Sequence, residues 1–108
     1  CKLVHTGVML SMPGSANQNI HTDGPHTNAD WPRRTLPAHL VNVFVPLVDL
    51  TAELGPTEFI PTTQRRYEPD ATRVIVTPPA GAALIFDYRL LHRGLANTSS
   101  DTQRPVIY

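Results

Sequence analysis

Cysteine is nearly missing from this sequence, long apolar runs are missing altogether, and neither sign of charge is in excess. The single cysteine is Cys1, so no disulfide can close within the chain. A thiol-poor sequence of this kind points to a reducing, intracellular setting. No apolar run approaches the roughly 20 residues that a membrane-spanning helix requires, and no basic-then-apolar leader opens the chain. Nine basic residues balance nine acidic ones, which argues against nucleic acid or an anionic membrane as the main partner. Sustained helical periodicity is absent too: the nearest candidate, Val48 to Leu54, is short and stops at Gly55-Pro56.

What is present suits one domain spanning residues 1–108, with 41% hydrophobic content. A chain of this length buries roughly two-thirds of its unfolded surface. It begins with Cys1 in an apolar stretch rather than with methionine, so the expectation is that the N-terminal region of the natural protein is absent. Eleven prolines and six glycines punctuate it. Between them lie short pieces rich in β-branched and aromatic residues, the pattern of strands. "KLVHTGVMLSM", "QNIHTD", "HLVNVFVPLVDL", "PTEFI", "RVIVT", "AALIFDY" and "PVIY" each read as one. In the third, Leu40, Asn42 and Phe44 share one face and Val41, Val43 and Val45 the other. Seven or eight short strands at this spacing predict an all-β double-sheet jelly roll. Residues 23–37 read as a long loop near its mouth.

The stretch "NIHTDGPH" at 19–26 sets two histidines and an aspartate within six positions. On a strand, His21 and Asp23 present an imidazole and a carboxylate to the same side, while Thr22 points away. His26 lies beyond Gly24-Pro25, where the chain has turned. Taken alone, His-x-Asp is more often a turn or a hydrogen-bonded pair than a metal site. A third ligand would have to come from elsewhere, and "LIFDYRLLHRG" offers His92, just after an apolar strand. Two histidines and one carboxylate match the facial triad of non-haem Fe(II) oxygenases, which leaves coordination positions open. A structural zinc site tends instead to be closed by four protein ligands.

Read together, "HTDG" (21–24), "VNVFVPLVDLTAELGPTEFIPTT" (41–63), "GAALIFDYRLLHRGLANTS" (81–99) and "RPVIY" (104–108) resemble the phytanoyl-CoA dioxygenase family of Fe(II)- and 2-oxoglutarate-dependent oxygenases. The resemblance covers most of the chain in the family's order. It implies a double-stranded β-helix with iron held by the residues matching His21, Asp23 and His92. It further implies that Arg104 binds the distal carboxylate of 2-oxoglutarate. The implied reaction hydroxylates a small organic substrate, consumes dioxygen and releases succinate and carbon dioxide. Related halogenases leave the carboxylate position empty for a halide, so Asp23 favours hydroxylation. The alternative is a jelly-roll metal-binding or regulatory module without turnover. Three departures from the family pattern stand out. "PTTQ" at 61–64 replaces "PGSH", Ala82 or Ala83 replaces an acidic residue after the glycine turn, and the loop between His92 and Arg104 is one residue longer.

Other conspicuous side chains carry simpler expectations. Asn42 and Thr57 are candidates to line the cavity and contact the co-substrate, with a satisfied polar core residue as the alternative. Trp31 is a candidate wall for the substrate. His26 and His39 read as loop histidines, and His5 as a hydrogen-bonded core histidine. Arg33-Arg34 and Arg65-Arg66 read as solvated charges, while Arg89 and Arg93, flanking His92, compete less well than Arg104 for a carboxylate.

Overall fold

Where β-branched and aromatic residues alternate between turn formers, the chain pairs into strands. The structure, a computed structural model, describes residues 2–24 and 37–108. Cys1, His26, Trp31 and Arg33-Arg34 lie outside the described residues. Seven strands run along the rest: β1 (Val8–Ser11), β2 (Val41–Pro46), β3 (Thr57–Phe59), β4 (Val74–Val76), β5 (Leu84–Asp87), β6 (His92–Gly94) and β7 (Arg104–Ile107). They form two antiparallel sheets, ordered β1-β7-β2-β5 and β4-β3-β6. The all-β double-sheet expectation holds. No helix among the described residues is long and apolar enough to cross a membrane.

The core lies between the sheets. Phe44, Phe86 and Val106 come from the larger sheet and Phe59 from the smaller, and all four are buried in one cluster. Phe86 packs edge-on against Phe44 and Phe59, each at 4.9 Å between centroids. That is a favourable arrangement for aromatic quadrupoles. The expected alternation on β2 is present: Asn42 and Phe44 turn inward while Val41 and Val43 remain exposed. The outer face of the larger sheet is apolar, with Val8, Val43, Ile85 and Ile107 in solvent.

Several expected boundaries shift. "QNIHTD" is extended but forms no regular strand; its one ladder contact is a bridge between His21 and His92. Side chains take other positions along this edge: Gly94 N–H donates to Gln18 Oε1 (2.7 Å) and Ala96 N–H to Asn17 Oδ1 (2.7 Å). The first strand is shorter than "KLVHTGVMLSM", and His5 is exposed rather than in the core, bonded to the Tyr108 hydroxyl at 3.3 Å. His92 does not trail β5. Instead β5 ends at Asp87, whose Oδ1 accepts the Arg89 N–H (3.0 Å) and whose carbonyl accepts the Leu90 N–H (2.9 Å). That turn lets His92 open a strand of its own, on the smaller sheet.

Candidate metal centre

The bridge that replaces a strand at His21 is also what assembles the site. His21 N–H donates to the His92 carbonyl (3.0 Å) and His92 N–H to the His21 carbonyl (2.9 Å), and Gln18 N–H adds a bond to the Gly94 carbonyl (2.9 Å). The two imidazoles therefore stand side by side, 4.6 Å between centroids. Asp23, two residues beyond His21, is anchored through its N–H to the Tyr88 carbonyl (3.1 Å). One ligand atom from each of His21, Asp23 and His92 lies within 4.8 Å of the others, so the structure brings these three together as a group able to hold a metal ion.

Their hydrogen bonds set which nitrogen faces the centre. His21 Nδ1–H donates to the Asn19 carbonyl (2.8 Å), and His92 Nδ1–H donates to the Leu90 carbonyl (2.9 Å). Each carbonyl can only accept, so the proton of the neutral ring sits on Nδ1 and the Nε2 lone pair points inward. His21 Nε2 is 3.5 Å from Asp23 Oδ1, and His92 Nε2 is 3.4 Å from Asp23 Oδ2. Burial holds His92 below the usual imidazole range, against the opposing pull of the Leu90 carbonyl and the Asp23 charge. Its ring is enclosed by Phe86, Phe59 and Phe44, at 5.0, 5.9 and 6.3 Å. A neutral imidazole lone pair facing a carboxylate is repulsive unless a cation lies between them. The residues fit a divalent metal with mixed nitrogen and oxygen preference.

Beside this group opens a cavity of about 380 Å³, lined among others by Gln18, Thr57 and Arg104 with His21, Asp23 and His92. Met9, Phe44, Leu50, Leu95 and Val106 give it an apolar wall. Arg104 lies on β7, paired in register with Ser11 of β1. Its side chain is half-buried, which pushes its pKa down, and its buried Nε has no hydrogen-bond partner among the described residues. A buried guanidinium nitrogen without an acceptor is costly and suits an incoming anion. The competing arginines are engaged elsewhere. Arg89 grips Asp87 through two bonds (2.9 and 2.6 Å), and Arg93 Nε bonds Glu58 (2.7 Å).

The remaining candidates divide. Thr57 lines the cavity from β3, opposite Gly94 in register. Asn42 directs its amide at Asp23, donating to Oδ2. His39 is exposed against Tyr88, 3.3 Å from its hydroxyl. Arg65 and Arg66 are exposed, with Arg66 paired to Glu68 at 2.8 Å. Gln18 and Gly94 were not singled out by sequence reasoning. A methyl on Gly94 would lie 2.9 Å from Gln18 Oε1 and 3.2 Å from Arg104 Nη2, so the missing side chain makes room for both groups.

A triad of this composition beside a cavity with a buried arginine is what the sequence resemblance implies, and comparison with known proteins decides the family. The phytanoyl-CoA dioxygenase family matches residues 2–106. The chain belongs to that family. It is 30% identical over 105 residues to the dioxygenase hkm4 of Aspergillus hancockii, covering 93% of this chain and 34% of that protein. The chain thus spans about a third of that relative's length. Among solved structures it resembles the non-heme alpha-ketoglutarate-dependent epimerase SnoN from nogalamycin biosynthesis, with TM-score 0.73 and 23% identity. The match covers 94% of this chain and 43% of SnoN. CytC3 with Fe(II) and alpha-ketoglutarate matches at TM-score 0.63 and 17% identity, over 94% of this chain and 42% of that one. At such identities these likenesses establish the fold, the double-stranded β-helix of this oxygenase class.

Proposed function

We propose that this chain carries the catalytic core of an Fe(II)- and 2-oxoglutarate-dependent dioxygenase that hydroxylates a small organic substrate. In this reading His21 Nε2, His92 Nε2 and the Asp23 carboxylate hold the iron. Bound Fe(II), with 2-oxoglutarate and dioxygen, supplies an oxidant for C–H bonds as the co-substrate is converted to succinate and carbon dioxide. The observation that carries the reading is the convergence of three metal-capable side chains beside an arginine whose buried Nε has no partner among the described residues.

The protein's own residues bind, orient and exclude water. Arg104 receives the distal carboxylate of 2-oxoglutarate, its planar fork matching two carboxylate oxygens. Thr57, which lines the same cavity from the smaller sheet, offers a hydroxyl to the same ligand. The apolar residues around Phe44 and Val106 keep water from the reacting end of the cavity. Asp23 fills the position that a halide would otherwise need, which favours hydroxylation over halogenation. Family membership and the Fe(II)-bound neighbour CytC3 support the choice of metal and co-substrate.

Succinate release by the full-length protein tests this. Asp23→Ala is expected to abolish 2-oxoglutarate-dependent turnover. Arg104→Ala is expected to raise the 2-oxoglutarate requirement by about 2–5 kcal/mol, the loss for one member of a buried charge pair, with little change in iron binding. Equal 2-oxoglutarate affinity in wild type and Arg104→Ala would contradict the assignment of Arg104.

A further inference from the structure

We infer that Asn42 is a positioning residue for the Asp23 carboxylate, selecting the oxygen that is left for the metal. The inference rests on the metal-site reading above. It starts from β2, where Asn42 shares the inward face with Phe44 and pairs in register with Phe86. An amide turned toward an aromatic core is costly unless it is bonded. Its Nδ2 donates to Asp23 Oδ2, which accounts for an amide at this point of an otherwise apolar strand.

Asp23 needs such a restraint. Its backbone is held by the Tyr88 carbonyl and by the Tyr88 ring packed over Gly24, where a methyl would come within 2.0 Å of that ring. Its side chain lies outside any strand and is 35% exposed. The two carboxylate oxygens face the two imidazoles almost equivalently, Oδ1 at 3.5 Å from His21 and Oδ2 at 3.4 Å from His92. Nothing in those distances distinguishes them. The Asn42 hydrogen bond does, because it occupies a lone pair of Oδ2 and leaves Oδ1 uncommitted. A carboxylate restrained in this way binds through one oxygen. One free to chelate through both would take a coordination position that the co-substrate and dioxygen require. The chemistry of the position is narrow: leucine would leave Oδ2 without a donor, and aspartate would set two carboxylates together. Hydrogen-bond partners of metal ligands typically contribute about 10–100-fold to affinity or activity.

Cobalt(II) titration of the full-length protein, followed by its visible d–d absorption, tests the inference without turnover. Wild type, Asn42→Leu, Asn42→Ser and Asp23→Ala are compared, with circular dichroism of each metal-free protein as the fold control. Asn42→Leu is expected to keep the fold, bind cobalt about tenfold more weakly, and shift the absorption as the carboxylate mode changes. Asn42→Ser gives the same readout should the leucine variant fail to fold, with a smaller effect because its hydroxyl can still donate. Wild-type affinity and spectrum in both Asn42 variants, while Asp23→Ala loses cobalt, would overturn the role of Asn42 alone. An unchanged cobalt site with a raised 2-oxoglutarate requirement would assign Asn42 to the co-substrate and likewise overturn it. Wild-type cobalt binding by Asp23→Ala would instead refute the metal-site reading itself, and the inference with it.

Discussion

His21 and His92 exchange both of their backbone hydrogen bonds across a single bridge, at 3.0 and 2.9 Å, although 71 positions separate them in the chain. A pair of this kind directs its two side chains to the same side of the sheet. The juxtaposition of the imidazoles is therefore a property of the main chain. Replacing either ring leaves the pairing in place.

His21 offers the cleaner test of that separation, because its side chain is 38% exposed whereas His92 is enclosed by three phenylalanines. His21→Ala is expected to change stability by no more than about 0.5 kcal/mol, the range for surface substitutions. Metal affinity should fall by at least tenfold. Denaturant unfolding of the metal-free protein, set beside a metal titration, measures both.

Gly94 bears on the co-substrate. A methyl there meets Gln18 Oε1 and Arg104 Nη2, so these side-chain ends must shift from their places at the cavity wall to admit it. Crowding of this degree typically costs about 1–3 kcal/mol. Gly94→Ala is expected to raise the 2-oxoglutarate KM by tenfold or more while metal affinity stays within a factor of two or so. A KM equal to wild type would show that Arg104 does not need this space.

Much of the fold was legible in the sequence, and the reasons are local. β2 could be read because Asn42 and Phe44 alternate with exposed valines. β6 could not, because His92, Arg93 and Gly94 carry no apolar alternation and, among the described residues, pair only through β3 and the His21 bridge. "QNIHTD" reads as a strand because it is a short piece between turn formers, yet the side-chain carbonyls of Asn17 and Gln18 accept N–H groups that a neighbouring strand's main chain would otherwise take. Within the site, His21 and Asp23 stand two residues apart on one segment and could be paired by inspection, whereas His92 rested largely on the family resemblance. Gln18 and Gly94 meet across 76 positions, and no local pattern announces that contact.

The loop after β3 carries strain of its own. Thr62 adopts a left-handed backbone, φ 71°, a conformation unfavourable for a β-branched residue. Its carbonyl accepts bonds from the N–H groups of Arg65 and Arg66, so the turn is held despite this cost. Thr62→Gly is expected to stabilise the protein by about 0.5–1 kcal/mol, the relief of the left-handed strain less the added freedom of glycine when unfolded. A higher melting temperature with unchanged metal affinity would bear this out, and a lower one would contradict it.

Acid should weaken the turn that launches β6. The hydrogen bond from Arg89 holds the Asp87 carboxyl below its usual range, against the opposing effect of burial. A carboxyl depressed in the folded state contributes stability above its unfolded pKa and loses it as pH falls through the folded value. Stability is thus expected to decline below about pH 4, and Asp87→Asn should flatten that part of the curve. Disrupting the pair costs on the order of 3 kcal/mol at neutral pH. Unfolding free energies measured from pH 7 down to pH 3 would check both the slope and its loss.

The most direct measurement is an anaerobic titration of the full-length protein with Fe(II) and then 2-oxoglutarate, recorded in the visible. Iron held by His21, Asp23 and His92, with 2-oxoglutarate bound beside it, predicts a metal-to-ligand charge-transfer band that saturates at one equivalent of each. Arg104→Ala should need far more 2-oxoglutarate to reach the same band, and Asp23→Ala should fail to develop it. A band of equal strength and affinity in Asp23→Ala would contradict the site, as would the absence of any band in the wild-type protein.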